Sequence, residues 1–212
     1  VNSSGGFGSF LFGLVERSCV PFGLHHVFYT PFWYGSFVEA NLLINGVDTI
    51  VQGANTAYFV QLGSMGDLVG LESGRMHEIV MGTTAFLAGK YPFMMFGLPG
   101  AALAMYKCAK PEKRQAVGGL LGAAALTTIL TGITEPLEFT FLFVAPILFV
   151  VHAIFCGLSF MIMAMLDVFI GMTFSGGLID FVLFGLLPAG AGVATHWYWV
   201  LVVGVVYFAV YF

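Results

Sequence analysis

Four short segments of this sequence combine charged or hydrogen-bonding side chains with apolar neighbours, and each could carry chemistry. In G-L-V-E-R-S-C-V-P-F-G-L-H-H, residues 13 to 26, Pro21 has no N–H for the carbonyl of Arg17, so a helix carrying Glu16 and Arg17 is weakened there. Arg17 is permanently charged and offers a five-donor fork suited to hydroxyls or a carboxylate, while His25 both donates and accepts. That pairing suits a sugar, whose hydroxyls need both. The competing reading is structural: Arg17 neutralises an acid and His25 bonds a carbonyl. Of the adjacent His25 and His26, only one is expected to face a given ligand.

The second segment is L-T-G-I-T-E-P-L-E-F, residues 130 to 139. Gly132 is placed to end one helix and Pro136 to be the first residue of the next. Glu138 then falls in a first turn, where an acid complements the helix dipole, so it reads as a capping residue. Glu135 is expected just outside that helix, in extended backbone, where its carboxylate can accept from two hydroxyls or take a proton as a base. The third, G-K-Y-P-F-M-M-F-G-L-P at 89 to 99, offers aromatic and Met side chains that could stack on a pyranose or simply pack, with Lys90 snorkelling to an interface. The fourth, G-M-T-F-S-G-G-L-I-D at 171 to 180, has glycines for a tight re-entrant turn and Asp180 to cap or pair. His152, Asp167 and His196 read as structural. Cys19, Cys108 and Cys156 are odd in number and lack metal-ligand spacing, so they read as buried thiols. No metal and no cofactor is expected. No Walker loop, nucleophile elbow, HExxH or Rossmann fingerprint is present.

The elements that must position these groups follow from composition. Of 212 residues 59% are apolar, 16% aromatic and only 8% charged, against about 25% charged in soluble domains. So few charges cannot dress a water-soluble fold. Seven Lys and Arg against eleven Asp and Glu give a net charge of −4, which leaves no basic footprint for nucleic acid. The expected class is all-α membrane: polytopic transmembrane helices with broken helices and re-entrant hairpins. Apolar stretches run over about 7–38, 79–106, 116–133, 139–166, 168–193 and 197–212, interrupted by Pro and Gly. Backbone broken at membrane depth is tolerated where protein or a water-filled cavity satisfies it, as in transporter substrate sites. Residues 39–78 are polar and expected outside the hydrocarbon. Lys107, Lys110, Lys113 and Arg114 place the 107–114 loop in the cytoplasm by the positive-inside rule. Neither VNSSGG nor VVYFAVYF reads as a natural terminus, so residues 1–212 are expected to be a fragment of a longer membrane protein.

ERSCVPFGLHH, GKYPFMMFGLP, AKPEKR, GITEPLEFTFLFVAP and GMTFSGGLIDF together resemble the membrane-spanning IIC domain of bacterial phosphotransferase-system (PTS) sugar transporters of the glucose superfamily. The segments run in the family's order from about residue 7 to 208, and GITEP is the most specific. FYTPFWY and GKYPFMMFGLP look most like glucose-specific members of Gram-positive bacteria; maltose and N-acetylglucosamine members share much of the pattern. The resemblance implies the carboxyl-terminal, substrate-binding part of IIC, in a multi-pass protein of the bacterial cytoplasmic membrane. It implies a hexose substrate, read as glucose, carried across the bilayer and phosphorylated on its 6-hydroxyl by a phosphocysteine of a IIB domain. It also implies a homodimer of the full IIC. The IIB hallmark C-x-T-R-L-R is absent, so the chain is a protein-phosphocysteine–sugar phosphotransferase only when joined to a IIB donor. Carried over by residue, sugar binding falls on Arg17, His25, Thr134 and Glu135, with Phe93 and Gly132 nearby, and catalysis on Glu135 and His25. A binding or channel-like protein without chemistry and an ion-coupled secondary sugar transporter using Glu135 as a proton site are the alternatives.

Overall fold

The computed structural model describes residues 5–212; Val1 to Ser4 of the amino-terminal stretch read above lie outside the described residues. Helix α1 (Gly6–Ser18) stops short of Pro21, the chain makes a tight turn over Val20–Phe22, and Gly23 reverses it at φ 68° before α2 (His25–Trp33). The break that Pro21 foretold therefore sits between Arg17 and His25.

The polar segment folds as an antiparallel hairpin of β1 (Glu39–Ile44) and β2 (Val47–Gln52), with Ile44 opposite Val47, followed by α3 (Ala54–Leu62) and α4 (Ser73–Gly82). The chain is otherwise helical, as the all-α expectation has it, and this hairpin is the one sheet among the described residues. Asn45 and Gly46 turn at φ 52° and 76°, the left-handed pair that suits a two-residue hairpin.

Next come α5 (Lys90–Pro92), a π-helical segment Phe93–Gly97 and α6 (Leu98–Cys108), then α7 (Arg114–Thr131), α8 (Glu135–Val144) and α9 (Pro146–Met165). After a buried non-helical stretch at 168–172, α10 (Leu178–Phe181) runs through a second π segment, Val182–Leu186, into α11 (Leu187–Gly190), and α12 (Tyr198–Tyr211) closes the chain. The two π segments share a cause. Pro99 and Pro188 have no N–H for the carbonyls of Met95 and Phe184, four residues back, and both carbonyls lie inside the widened turns.

α1 packs along α9 through glycine. A Cβ at Gly13 would lie 2.4 Å from the Phe160 ring, and one at Gly157 would lie 2.8 Å from the carbonyl of Phe10, so only the missing side chains let the two backbones approach. Phe12 sits at this seam, edge-on to Phe86 and Phe160 at 5.3 and 5.4 Å between centroids. Among the described residues α9 is the one helix both long and apolar enough to cross a membrane. Cys156 is buried on it, but Cys19 is half-buried and Cys108 exposed at the end of α6, so the reading of three buried thiols holds for one.

Candidate functional site

Three chain breaks meet around one cavity of about 350 Å³, lined by Glu16, Arg17, His25, His26, Tyr29, Lys90, Met94, Gly132, Ile133, Thr134, Glu135, Pro136, Phe174 and Ser175. Its walls are the end of α1, the start of α2, the α5 region, the α7–α8 turn and the glycine loop before α10. The turn explains why they converge. Gly132 caps α7 at φ 74°, and a Cβ there would lie 2.7 Å from Ser175 Oγ and 2.9 Å from the Gly176 nitrogen. The glycine loop thus lies directly against it, and Ser175 Oγ donates to the Gly132 carbonyl at 2.9 Å. Asp180, expected to cap or pair, holds the loop by accepting from the Thr173 N–H, the Thr173 hydroxyl and the Phe174 N–H, and so caps no helix.

Thr134 precedes α8 and joins two parts of the site. Its hydroxyl accepts from Arg17 Nη1 at 3.1 Å, and its N–H donates to Glu135 Oε2 at 3.0 Å. His25 Nε2 stands 3.8 Å from the other oxygen of Glu135, too far for a hydrogen bond but close enough to share a ligand atom. The Glu135 side chain is 38% exposed and that of His25 15%, so both reach the cavity, unlike the Arg17–Glu138 contact beneath, whose carboxylate is wholly buried. On the opposite wall Lys90 Nζ pairs with Glu16 Oε1 at 2.7 Å and lies over the Trp33 and Tyr29 rings at 4.4 and 5.0 Å. The cavity therefore offers a carboxylate and two imidazoles on the exposed side, over a floor of charges already paired. Such a surface presents many donors and acceptors beside a single carboxylate, Glu135, that the paired floor does not neutralise, an arrangement that suits a polyol.

Arg17, His25, Thr134, Glu135 and Gly132, remote in sequence, all line this cavity. Phe93 does not. It is fully buried beneath Arg17, its ring centroid 4.8 Å from the guanidinium carbon, while Met94 supplies the lining from that segment. Four expectations are corrected. Both His25 and His26 face the cavity, their rings tilted at 38° with centroids 4.1 Å apart, because the turn at Gly23–Leu24 presents the start of α2 end-on. Lys90 is buried in an ion pair and does not snorkel, since Glu16 offers it a partner that lipid would not. Glu135 belongs to the first turn of α8, which puts Pro136 second in the helix. Glu138 is no simple cap: it is buried and salt-bridged to Arg17 at 2.9 Å and bonded to His152 at 3.1 Å. Tyr29 and Ser175 escaped sequence reasoning. Tyr29 carried a signal, lying one helical turn beyond His25, but Ser175 became relevant only through the tertiary approach to Gly132.

Residues 1–157 match the family model described as Phosphotransferase system, EIIC. This chain belongs to that family. A glucoside-specific EIICBA component of Staphylococcus carnosus is 50% identical over 204 residues, 96% of this chain and 27% of the relative. A glucose-specific EIICBA component of Staphylococcus saprophyticus is 47% identical over 212 residues, the whole of this chain and 28% of the relative. The EIIC chain thus spans a little over a quarter of the length of these curated relatives. The cavity falls mostly on residues 16 to 136, inside the matched region, with Phe174 and Ser175 beyond it.

Proposed function

We propose that this chain is the sugar-binding part of a PTS permease for glucose or a glucoside, which presents the primary hydroxyl of its substrate to a phosphocysteine of a IIB domain. The observation that carries the reading is the meeting of Arg17, His25, Thr134 and Glu135 on one cavity, although more than a hundred residues separate Arg17 from Glu135. Its volume lies within the roughly 300–1,000 Å³ of small-molecule sites. Glu135 acts as the base that takes the hydroxyl proton as the oxygen attacks phosphorus and the S–P bond breaks, the IIB cysteine leaving as its thiolate; His25 shares the hydroxyl and orients it, and Arg17 binds a further sugar oxygen. Phosphoryl transfer asks chiefly for such positioning and charge stabilisation. The relatives' names join C, B and A in one component, which supports a IIB donor close to this domain.

The setting is a bacterial cytoplasmic membrane crossed several times. Supporting this are the apolar α9 and the large side chains left exposed on it and on α8 and α12, among them Phe143, Val144, Ile147, Leu148, Val202, Val205 and Val206. Phosphoenolpyruvate-dependent phosphorylation of a panel of glucose, glucosides, maltose and N-acetylglucosamine by membranes carrying the full-length parent tests the reading. Phosphorylation of glucose or a glucoside supports it; uptake that follows a proton gradient and ignores phosphoenolpyruvate replaces it with ion-coupled transport.

A further inference from the structure

Behind the cavity lies a hydrogen-bond chain that the proposed chemistry does not itself use. Glu138 Oε1 receives Arg17 Nη1 at 2.9 Å from one side and His152 Nε2 at 3.1 Å from the other. His152 Nδ1 in turn meets the Tyr211 hydroxyl at 2.8 Å. The side chains of Arg17, Glu138 and His152 are 5%, 0% and 2% exposed. The directions of these bonds are constrained. A carboxylate only accepts, so Nε2 of His152 carries hydrogen; a neutral ring then accepts the Tyr211 proton at Nδ1. The ring cannot turn away, because Phe93, Phe141, Phe149 and Tyr211 enclose it at centroid distances of 5.5 to 5.9 Å.

The other end of the chain reaches the site. Arg17 Nη1 has two N–H groups, and one goes to Glu138 while the other goes to Thr134 Oγ1. That nitrogen is fully used, so the guanidinium is clamped by one arm, while the Arg17 side chain still lines the cavity. Thr134 passes the constraint on through its N–H to Glu135. We infer that His152, through Glu138, is a positioning residue for sugar binding and phosphorylation, fixing Arg17 and Thr134 and thereby the Glu135 carboxylate. This rests on the site reading above and adds a residue on α9 that touches no substrate.

The test uses the full-length parent in membranes, with sugar binding and phosphorylation each normalised to folded, inserted protein. His152→Phe keeps an aromatic body but removes both nitrogens; kcat/KM is expected to fall about tenfold or more, with kcat reduced as well as KM raised. His152→Gln can place an amide N–H near the position of Nε2 and should restore activity to within about threefold of the natural protein. In an Arg17→Ala background His152→Phe should cost at most about twofold, because the path runs through Arg17. Equal loss from His152→Phe in both backgrounds, or no rescue by Gln, overturns the inference. Failure of the underlying reading has a different signature: Arg17→Ala and Glu135→Gln would themselves leave sugar binding and phosphorylation unchanged.

Discussion

At the scale of single residues, Glu135 and Glu138 show how three positions of sequence separate two roles. Glu135 faces the cavity, its carboxylate steadied by one backbone N–H, whereas Glu138 points into the protein, where Arg17 and His152 both bond its Oε1. A base needs a lone pair and a path to its proton, and only Glu135 has both. Glu135→Gln is therefore expected to lower phosphorylation by about 10²–10⁴-fold in the full-length parent while sugar binding, measured by equilibrium dialysis, falls much less, since an amide still accepts. Equal loss of both would leave Glu135 a ligand only. Arg17 and His25 belong to the same argument. Each single change to Ala should weaken sugar binding by about 1–3 kcal/mol, and the double change should cost less than the sum, because both act on one ligand beside Glu135. Strict additivity in folded protein would separate them. That Arg17, His25 and Glu135 line one cavity was readable from residue types at polar breaks. The inward turn of Glu138 was not, because its partners lie 121 and 14 positions away and no local pattern announces them.

At the scale of elements, glycines and prolines carried most of the legible signal. Pro21, Gly132 and the glycines of 171–177 all mark real interruptions, because the loss of an N–H or of a Cβ is a local property. The hairpin was equally written in the sequence, as Asn45-Gly46 between apolar-rich runs, and was obscured by the polar composition of the segment around it. The turns differ in what surrounds them. Gly46 has open space where a Cβ would go, whereas Gly132 has Ser175 Oγ and the Gly176 nitrogen within 3 Å. Gly46→Ala should then cost only the left-handed backbone, about 1–2 kcal/mol, and Gly132→Ala clearly more, together with loss of sugar binding, as read by thermal unfolding with and without sugar. A similar cost for both would mean that the glycine loop yields freely. The hairpin is tied to α4 by Arg75, which bonds both Asp48 and Glu78, and by Asn41, which donates to Glu78 at 3.2 Å. The Arg75 guanidinium, helped by Asn41, holds the Glu78 carboxyl below its ordinary value. A depressed carboxyl stabilises the folded form above its unfolded value and loses that contribution as pH falls through the folded one. Amide exchange over residues 39–52, corrected for the intrinsic rate, should accordingly rise as pH drops through the carboxylate range. Arg75→Gln should remove that dependence; the effect is small because the group is largely solvated.

At the scale of the whole molecule, the apolar faces and the basic loop act together. Large side chains on α8, α9 and α12 are exposed, and a surface of that kind is stable only against lipid or against another apolar face. Composition made a membrane class legible from the sequence, but it could not say which apolar stretches form one straight helix. Among the described residues α9 alone is both long and apolar enough to cross: α12 is unbroken but has 14 residues, and π segments ahead of Pro99 and Pro188 and the buried non-helical backbone at 168–172 interrupt other stretches. The charge distribution predicts an orientation. Four of the seven Lys and Arg fall at 107 to 114, and none occurs from 115 to 212, so no later loop competes for the cytoplasmic side. The cavity must then open toward that side at some stage for a IIB phosphocysteine to reach Glu135, which makes the placement of this loop a condition of the proposed chemistry. Gln115 is exposed at the start of α7. With Cys19, Cys108 and Cys156 replaced, a cysteine introduced there by Gln115→Cys should resist an impermeant thiol reagent applied to intact cells and react once the membrane is opened. Labelling from outside would invert the topology and leave the basic loop facing away from any cytoplasmic phosphoryl donor.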